Sequence, residues 1–227
     1  MRITFNKKVT GLTMAVACVI SAATAWSSSG GGGSSGANKL IVGDSIFALS
    51  GDIHRYLERD LNENINTVAR SGCQVLGGNF LCPSSSSIPN QYSKANKSGI
   101  STVIFNGGGN DFLLGSGGDC TSNACVNRVL GDIEAAITST VNKMKSDGIT
   151  QILYLGYYDI DDDNSVNEIS MPYKAANYPQ QGIKFVETRF AFRNDPRGIR
   201  ALRVADGIHP SAAGSEILSR LNQARLD

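Results

Sequence analysis

The chain has 227 residues, with 21 Lys and Arg against 20 Asp and Glu, so its formal net charge is close to zero. No basic patch stands out, which argues against nucleic acid as a partner. Residues 38–227 are long enough for one domain with a single core, and we expect them to form that domain.

The first 25 residues are predicted to be a secretion signal. Three basic side chains near the start precede an uncharged, mostly small or apolar stretch, and Ala23-Thr24-Ala25 has the small-x-small pattern of a cleavage site. A membrane anchor is the alternative, but this stretch is short for a span and is diluted by Gly, Ser and Thr. Residues 26–37, mostly Ser and Gly, are predicted to be a flexible linker.

Cys18 offers a second interpretation of the N-terminus, because a cysteine that ends an apolar run can be a lipidation site. Ala15, however, stands where bacterial lipoprotein signals usually have leucine. We therefore expect a secreted or periplasmic protein, with lipid anchoring at Cys18 as the alternative. If the signal is cleaved, the membrane is a partner only when Cys18 is lipidated.

Four cysteines follow the predicted signal: Cys73, Cys82, Cys120 and Cys125. An even number of cysteines in an exported chain predicts two disulfides. Of the three connectivities, we favour the local one, Cys73–Cys82 and Cys120–Cys125, which closes two short loops. A zinc site is disfavoured because the spacings are not Cys-x2-Cys and no histidine is nearby. No metal and no cofactor is expected.

Strand-like and helix-like segments alternate from residue 38 onward. In chain order they are a strand at 40–42, a helix at 52–61, a strand at 65–69, a short helix at 89–97, a strand at 102–105, a helix at 126–147, a strand at 152–155, a helix at 165–176, a strand at 183–186 and a helix from Ser211. This alternation implies parallel strands joined by right-handed crossovers. The predicted fold is an α/β/α sandwich with about five parallel strands.

Gly43-Asp44-Ser45 follows the first predicted strand directly. It would place a serine at the edge of the sheet, which is where open α/β sheets bind ligands. Gly, Asp and Ser are also ordinary turn residues, so the motif needs partners elsewhere in the chain.

Asp206-Gly207-Ile208-His209-Pro210 supplies such partners. A carboxylate three residues before a histidine can hold one ring nitrogen, while the other nitrogen takes a proton from a serine. A capping Asp and a surface His are the alternative interpretation. The other histidine, His54, lies off the apolar face of its helix and is predicted to face solvent.

Asn110 follows three glycines at the end of the third strand. A side-chain amide there can donate to the oxyanion of an acyl-transfer intermediate, and the N–H of Gly72, just past the second strand, offers another donor. Phe112 and Leu113 then either line an acyl pocket or begin a turn that faces the core.

Two stretches after the fourth strand are less specific. Tyr157 and Tyr158 are expected near the rim of the site. Asp159 and the polar residues 161–164 begin like a calcium loop, but the stretch lacks the glycine at its sixth position and the glutamate at its twelfth, so we expect a solvated acidic loop.

Taken in order, these motifs resemble those of the SGNH (GDSL-type) hydrolase family of esterases and lipases. The resemblance is carried by Gly43-Asp44-Ser45, Ser71-Gly72, Gly108-Gly109-Asn110-Asp111 and Asp206-Gly207-Ile208-His209-Pro210, and it spans nearly all of the expected mature chain.

The resemblance implies a flavodoxin-like fold, with Ser45 as the nucleophile, His209 as the base and then the acid, and Asp206 orienting His209. It also implies an oxyanion hole formed by the N–H groups of Ser45 and Gly72 and the amide of Asn110. Asp44 and Asp111 match the motifs too and are expected to be structural hydrogen-bonding residues.

The chain departs from the family pattern at two positions. Ile46 stands where the family name has leucine, which is a mild change. Cys73 follows Gly72, so the loop that offers the Gly72 N–H is tied to a predicted disulfide.

The expected function is an exported serine esterase that forms an acyl-enzyme on Ser45, acting on a small ester or on an acylated carbohydrate or lipid. Phe112, Leu113 and Ile208 are the expected residues of the substrate pocket. Three alternatives stay open: a polysaccharide or peptidoglycan O-acetylesterase, an acyltransferase on the same fold, and, least favoured, a non-catalytic binding module.

Overall fold

The computed structural model describes residues 36–50, 52–160 and 165–226. The predicted signal, Cys18 and all but the last two residues of the predicted linker lie outside this part of the chain. Within the described residues, no helix combines the length and apolar character needed to cross a membrane.

Five parallel strands form one sheet in the order β2-β1-β3-β4-β5. They are β1 (Lys39–Val42), β2 (Ile65–Thr67), β3 (Thr102–Phe105), β4 (Gln151–Leu155) and β5 (Ile183–Val186). In the register, Leu40 of β1 lies opposite Asn66 of β2 and Val103 of β3. This is the flavodoxin-like order, and it confirms the predicted fold.

Seven α-helices connect or flank the strands in the described residues. They are α1 (Ser45–Ala48), α2 (Asp52–Leu61), α3 (Ile88–Lys94), α4 (Gly109–Leu113), α5 (Asn123–Ser146), α6 (Ser165–Asn177) and α7 (Ala212–Leu226). The longest, α5, begins where the hydroxyl of Ser122 accepts from the N–H of Cys125 at 3.3 Å, a side-chain cap of the usual kind. The single turns α1 and α4 were not predicted.

Alternate residues of each strand face opposite sides of the sheet, and each side is covered by helices. Leu40 and Val42 pack with α3, α5 and α6 in one core, while Ile41 packs with α2 and α7 in the other. The central strands β1, β3 and β4 are buried on both faces, which explains why their sequences are mostly continuous apolar runs rather than alternating ones. The predicted three-layer arrangement is confirmed.

Both predicted disulfides are present, Cys73–Cys82 and Cys120–Cys125. The first closes the loop that follows β2 and is buried, with Cys73 fully inaccessible to solvent. All four cysteines of the domain are therefore used in covalent links.

The strand order reverses direction beside β1, because the chain passes from β1 to β2 on one side and returns to β3 on the other. At such a point the crossover helices leave on opposite faces and a crevice opens at the carboxyl ends of the strands. Ser45 begins α1 directly after β1, and Asn110 lies in α4 after β3. Two of the predicted site residues therefore meet at this crevice.

Candidate active site

Ser45 is the first residue of α1 and is nearly buried. The helix starts there because Asp44 caps it: Oδ1 of Asp44 accepts from the N–H of Ile46 at 2.9 Å. The same oxygen accepts from Nδ2 of Asn106 at 2.8 Å. The cap thus fixes the position of the serine through the residue before it, as expected for Asp44.

Gly43 is required by the close approach of neighbouring side chains. A Cβ at this position would lie 2.0 Å from Oδ1 of Asn106, which accepts the N–H of Asp44 at 3.0 Å. The amide of Gln91 bonds both the N–H and the carbonyl of Gly43, at 2.9 and 3.0 Å. Any larger residue at position 43 would displace these bonds and, with them, the turn that carries Ser45.

Asp206 and His209 form the hydrogen-bonded pair that their spacing predicts. Oδ2 of Asp206 lies 2.6 Å from Nδ1 of His209, and Oδ1 accepts the N–H groups of Ile208 and His209 at 2.8 and 2.9 Å. Partial burial acts to raise the pKa of the Asp206 carboxyl, but the hydrogen bonds from His209 and Ile208 outweigh it and lower the pKa below its ordinary value. The ionised carboxylate favours the tautomer with the proton on Nδ1, which leaves Nε2 as an acceptor.

Nε2 of His209 is buried and has no hydrogen-bond partner among the described residues. The Ser45 hydroxyl therefore does not bond it in this structure. The charge of the Asp44 carboxylate interacts with His209, and Ile208, next to His209, lines the same cavity as Ser45. A buried ring nitrogen without a donor is uncommon and often marks a functional position.

The turn that carries His209 is fixed by contacts to its backbone. The N–H of Val204 donates to the carbonyl of His209 at 2.9 Å, and the hydroxyl of Tyr158 donates to the carbonyl of Ile208 at 2.5 Å. The guanidinium of Arg203 bonds the carbonyls of Ile160 and Gly207. Residues just past β4 thus hold this turn against the end of the sheet.

Asn110 lies in α4 with its side chain nearly buried. Nδ2 donates to the carbonyl of Cys73 at 3.0 Å, and the carbonyl of Asn110 accepts from Nε2 of Gln74 at 3.0 Å. An amide NH₂ has two hydrogens, so one N–H of Asn110 is held by Cys73 and the other is available to a substrate oxygen.

The loop that contains Gly72 is attached to the same region. Asp111, next to Asn110, accepts the N–H groups of Val75 and Leu76, both at 2.9 Å, which is the structural role expected for it. Gly72 has φ +73° and a Cβ there would lie 2.7 Å from Cβ of Leu81, so this position also requires glycine. The bond from Arg70 N–H to the carbonyl of Gly43, at 3.0 Å, joins the start of the loop to the serine turn.

Tyr157, just past β4, links the serine turn to the glycine turn. Its hydroxyl donates to Oδ2 of Asp44 at 2.5 Å and accepts from the N–H of Gly109 at 3.2 Å. Burial raises the pKa of Asp44, while hydrogen bonds from Tyr157, Ile46 and Asn106 oppose that rise. Burial also raises the pKa of Tyr157 well above its ordinary value, so its hydroxyl stays protonated and donates.

Tyr157→Phe is expected to lower the free energy of unfolding by about 1–3 kcal/mol, because a buried carboxylate loses a donor and cannot recover it from water. Thermal and denaturant unfolding measure this. Tyr173→Phe, in α6 at a half-exposed tyrosine, is the matched control and should change stability by less than about 0.5 kcal/mol. Equal stability of the Tyr157 variant and the wild type would contradict the role given to this hydroxyl.

A cavity of about 230 Å³ opens beside Ser45 and Asn110. Its walls are mainly apolar, and all three predicted pocket residues, Phe112, Leu113 and Ile208, line it. Gly72, Asp206 and His209 are not among the residues that line it. The cavity therefore lies on one side of Ser45, and the Asp206–His209 pair lies outside it.

Two expectations outside the site need correction. Asp159 is buried rather than solvated: it lies 3.6 Å from Arg189 and 3.3 Å from Arg193. The rest of the acidic stretch, 161–164, lies outside the described residues. His54 is partly buried, with Nε2 3.6 Å from Glu58 on the next turn of α2, instead of facing solvent freely.

Two residues that hold the serine turn, Asn106 and Gln91, were not predicted from the sequence. Asn106 follows β3 directly, so its position at a strand end was a usable signal for a residue at the crevice. Gln91 lies within a short helix and carries no such signal. Tyr157 was expected near the rim, but its bond to Asp44 joins residues 113 positions apart and is visible only in the structure.

Comparison with known proteins gives consistent findings. The family model described as GDSL-like lipase/acylhydrolase matches residues 21–221. A comparison with curated proteins found no match.

Solved structures with the same fold include the lipase Lip_vut3 from a goat rumen metagenome, with 17% identity and a TM-score of 0.59 over 84% of this chain and 97% of that one. TesA has 20% identity and a TM-score of 0.59 over 83% of this chain and 97% of that one. A family two carbohydrate esterase from Clostridium thermocellum has 15% identity and a TM-score of 0.60 over 87% of this chain and 66% of that one. The family match covers most of the sequence, and the chain therefore belongs to the GDSL-like lipase and acylhydrolase family, whose structures have the SGNH hydrolase fold.

Proposed function

We propose that this hydrolase is a serine esterase that cleaves carboxylic esters through an acyl-enzyme on Ser45. The observation that carries the proposal is the Asp206–His209 pair, joined at 2.6 Å, whose outer ring nitrogen is buried without a partner among the described residues, while the neighbouring Ile208 lines the same cavity as Ser45. A binding module has no need of a histidine held in one tautomer by a carboxylate.

The first step is attack of the Ser45 hydroxyl oxygen on the ester carbonyl carbon. Nε2 of His209 takes the hydroxyl proton, and Asp206 stabilises the imidazolium that results. The carbonyl electron pair moves onto oxygen. When the tetrahedral intermediate collapses, the bond to the alcohol oxygen breaks, and His209 returns its proton to that oxygen as the alcohol leaves.

The developing oxyanion needs donors that are already in position. The free N–H of the Asn110 amide is one, and the backbone N–H groups of Ser45 and Gly72 are the others in this proposal. The bond from Asn110 to Cys73 orients the amide before substrate arrives. Such donors are effective because they do not have to reorganise during the reaction.

Water then attacks the acyl-enzyme carbonyl carbon while His209 takes its proton; when this intermediate collapses, the bond to the Ser45 oxygen breaks, His209 returns the proton to that oxygen, and the acid leaves. The first step requires a Ser45–His209 hydrogen bond that this structure does not contain. Catalytic hydrogen bonds often tighten only when substrate is bound. A rotation of the Ser45 side chain toward Nε2 would give the buried nitrogen the donor that it lacks.

The apolar cavity supports esters with an alkyl acyl chain over acetate esters. An acetyl group would leave most of a 230 Å³ apolar space unfilled. Sugar deacetylation has support from the fold shared with a carbohydrate esterase, but that similarity is at 15% identity. Acyl transfer would use the same acyl-enzyme, with an alcohol replacing water.

Export belongs to the same proposal. Two disulfides in one domain are typical of proteins that fold in an oxidising compartment. The predicted signal sequence at 1–25 supports the same location.

A serine-directed organophosphate tests the proposal directly. The full chain is expected to lose hydrolysis of p-nitrophenyl butyrate in proportion to labelling, with one adduct per molecule on the peptide that contains Ser45. Adding a small alcohol to the uninhibited enzyme separates hydrolysis from acyl transfer, because transfer yields a new ester. Full inactivation without an adduct on Ser45 would exclude the serine mechanism.

A further inference from the structure

A buried ion pair joins the two helices that flank the cavity. Nζ of Lys174, in α6, bonds a carboxylate oxygen of Glu134, in α5, and the hydroxyl of Tyr178, the latter at 2.6 Å. The Lys174 and Glu134 side chains are only 3% and 10% exposed. The ammonium also lies 4.8 Å from the ring centre of Tyr154. Nothing in the proposed reaction uses this pair.

The pair lies further from the sheet edge that carries Ser45 than the other residues by which α5 and α6 line the cavity. Both α5 and α6 begin at the carboxyl edge of the sheet, where Ser45 lies, and return toward the opposite edge as crossover helices do. Leu130 and Ser170 line the cavity, and Glu134 and Lys174 come one helical turn further along the same helices. Lys174 itself lines the cavity, whereas Glu134 stands behind it.

We propose that the Lys174–Glu134 pair forms the inner end of an acyl-chain cavity and sets the longest acyl chain that the site accepts. The inference rests on the proposed esterase function and adds its substrate class: esters of medium-chain fatty acids. An apolar cavity of about 150 Å³ holds one benzene molecule. At that density, the present cavity has room for about nine carbon atoms.

A charged wall limits chain length more sharply than an apolar one. A longer chain would have to part Lys174 from Glu134, leaving two buried charges uncompensated, which is strongly unfavourable. The Tyr178 hydroxyl would still contact Lys174, but a neutral hydroxyl does not compensate a buried charge, and the second carboxylate oxygen of Glu134 is already buried without a donor among the described residues. Apolar walls, in contrast, repack at small cost.

The test compares kcat/KM for p-nitrophenyl butyrate, octanoate and dodecanoate. In the wild type, each methylene that fits should raise kcat/KM by about fourfold, so octanoate exceeds butyrate. Dodecanoate should fall at least about tenfold below octanoate, because its end meets the ion pair. A wild type that prefers butyrate to octanoate would overturn the inference while leaving serine catalysis intact.

Glu134→Ala with Lys174→Ala removes both charges and every side-chain atom beyond Cβ at the inner end. The ratio of kcat/KM for dodecanoate to that for butyrate should rise by at least about tenfold, as two further methylenes find room. The ratio is the readout because it is insensitive to any overall loss of active protein. A folded double variant with an unchanged ratio would overturn the inference.

Two further variants keep the result interpretable. Arg128→Ala with Asp132→Ala removes an exposed ion pair from α5, away from the cavity, and should leave the ratio unchanged. If the alanine variant is too unstable to purify, Glu134→Val with Lys174→Leu substitutes shorter apolar side chains, which buried ion pairs often tolerate. It should shift the ratio in the same direction by a smaller factor. If the wild type hydrolysed none of these esters in a Ser45-dependent way, the esterase function itself would be contradicted.

Discussion

Ser45→Ala is expected to lower kcat for p-nitrophenyl ester hydrolysis by at least about 10⁴-fold, because no acyl-enzyme can form without the hydroxyl oxygen. KM should change little, since the cavity walls and the Asn110 amide stay in place. Stability should also be nearly unchanged. The cap that starts α1 is the carboxylate of Asp44, not the serine side chain. Steady-state kinetics and thermal unfolding measure the two effects.

Ser93→Ala is the matched control, because Ser93 is an exposed serine in the short helix α3. It should hydrolyse the same esters at the wild-type rate. Equal rates for Ser45→Ala and the wild type would rule out Ser45 as the nucleophile and, with it, the proposed acyl-enzyme mechanism.

Asp206→Asn is expected to lower kcat by about 10²- to 10⁴-fold near neutral pH. The asparagine oxygen can still accept the N–H groups of Ile208 and His209, so the turn should persist. Its NH₂ would face Nδ1 of His209, however, and would favour the tautomer with the proton on Nε2. That tautomer cannot accept the Ser45 proton. The Asp206 side chain is about half exposed, so water can partly take over the stabilisation of the imidazolium. We therefore expect the loss of kcat to be nearer to about 10²-fold than to about 10⁴-fold.

Asp195→Asn makes a suitable control. Oδ1 of Asp195 accepts the N–H of Arg197 at 2.9 Å in a similar surface turn, but the residue has no histidine partner. Its kinetics should match those of the wild type. If Asp206→Asn also retained the wild-type kcat, the carboxylate would be only a structural part of the turn, and another group would have to orient His209.

The strands and most helices were predictable because their apolar runs and periodic faces are long enough to read. β3 and β5 match the predicted bounds, whereas β2 ends two residues earlier, at Thr67. The single turns α1 and α4 were not predictable, because four or five residues carry too little periodicity. The helix α1 begins after the cap residue Asp44, just past β1, and α4 begins after Gly108, just past β3.

The parts of the site that depend on residues close to each other in sequence were predictable. The Asp206–His209 pair is such a case, since one turn of chain brings the two side chains together. Tyr157 is the opposite case, because its bond to Asp44 depends on the order of strands that are distant in sequence. The lack of a bond between Ser45 and His209 depends on the exact placement of two loops, which no sequence pattern records.

Cys73 takes part both in a disulfide and in the hydrogen bond that orients Asn110. Its sulfur belongs to the buried disulfide with Cys82, and its carbonyl holds the amide of Asn110 at 3.0 Å. The covalent state of the loop and the orientation of the proposed oxyanion donor therefore meet at one residue. Under the proposed export, the disulfide forms only outside the cytoplasm, so the loop that orients Asn110 would be completed there together with the fold.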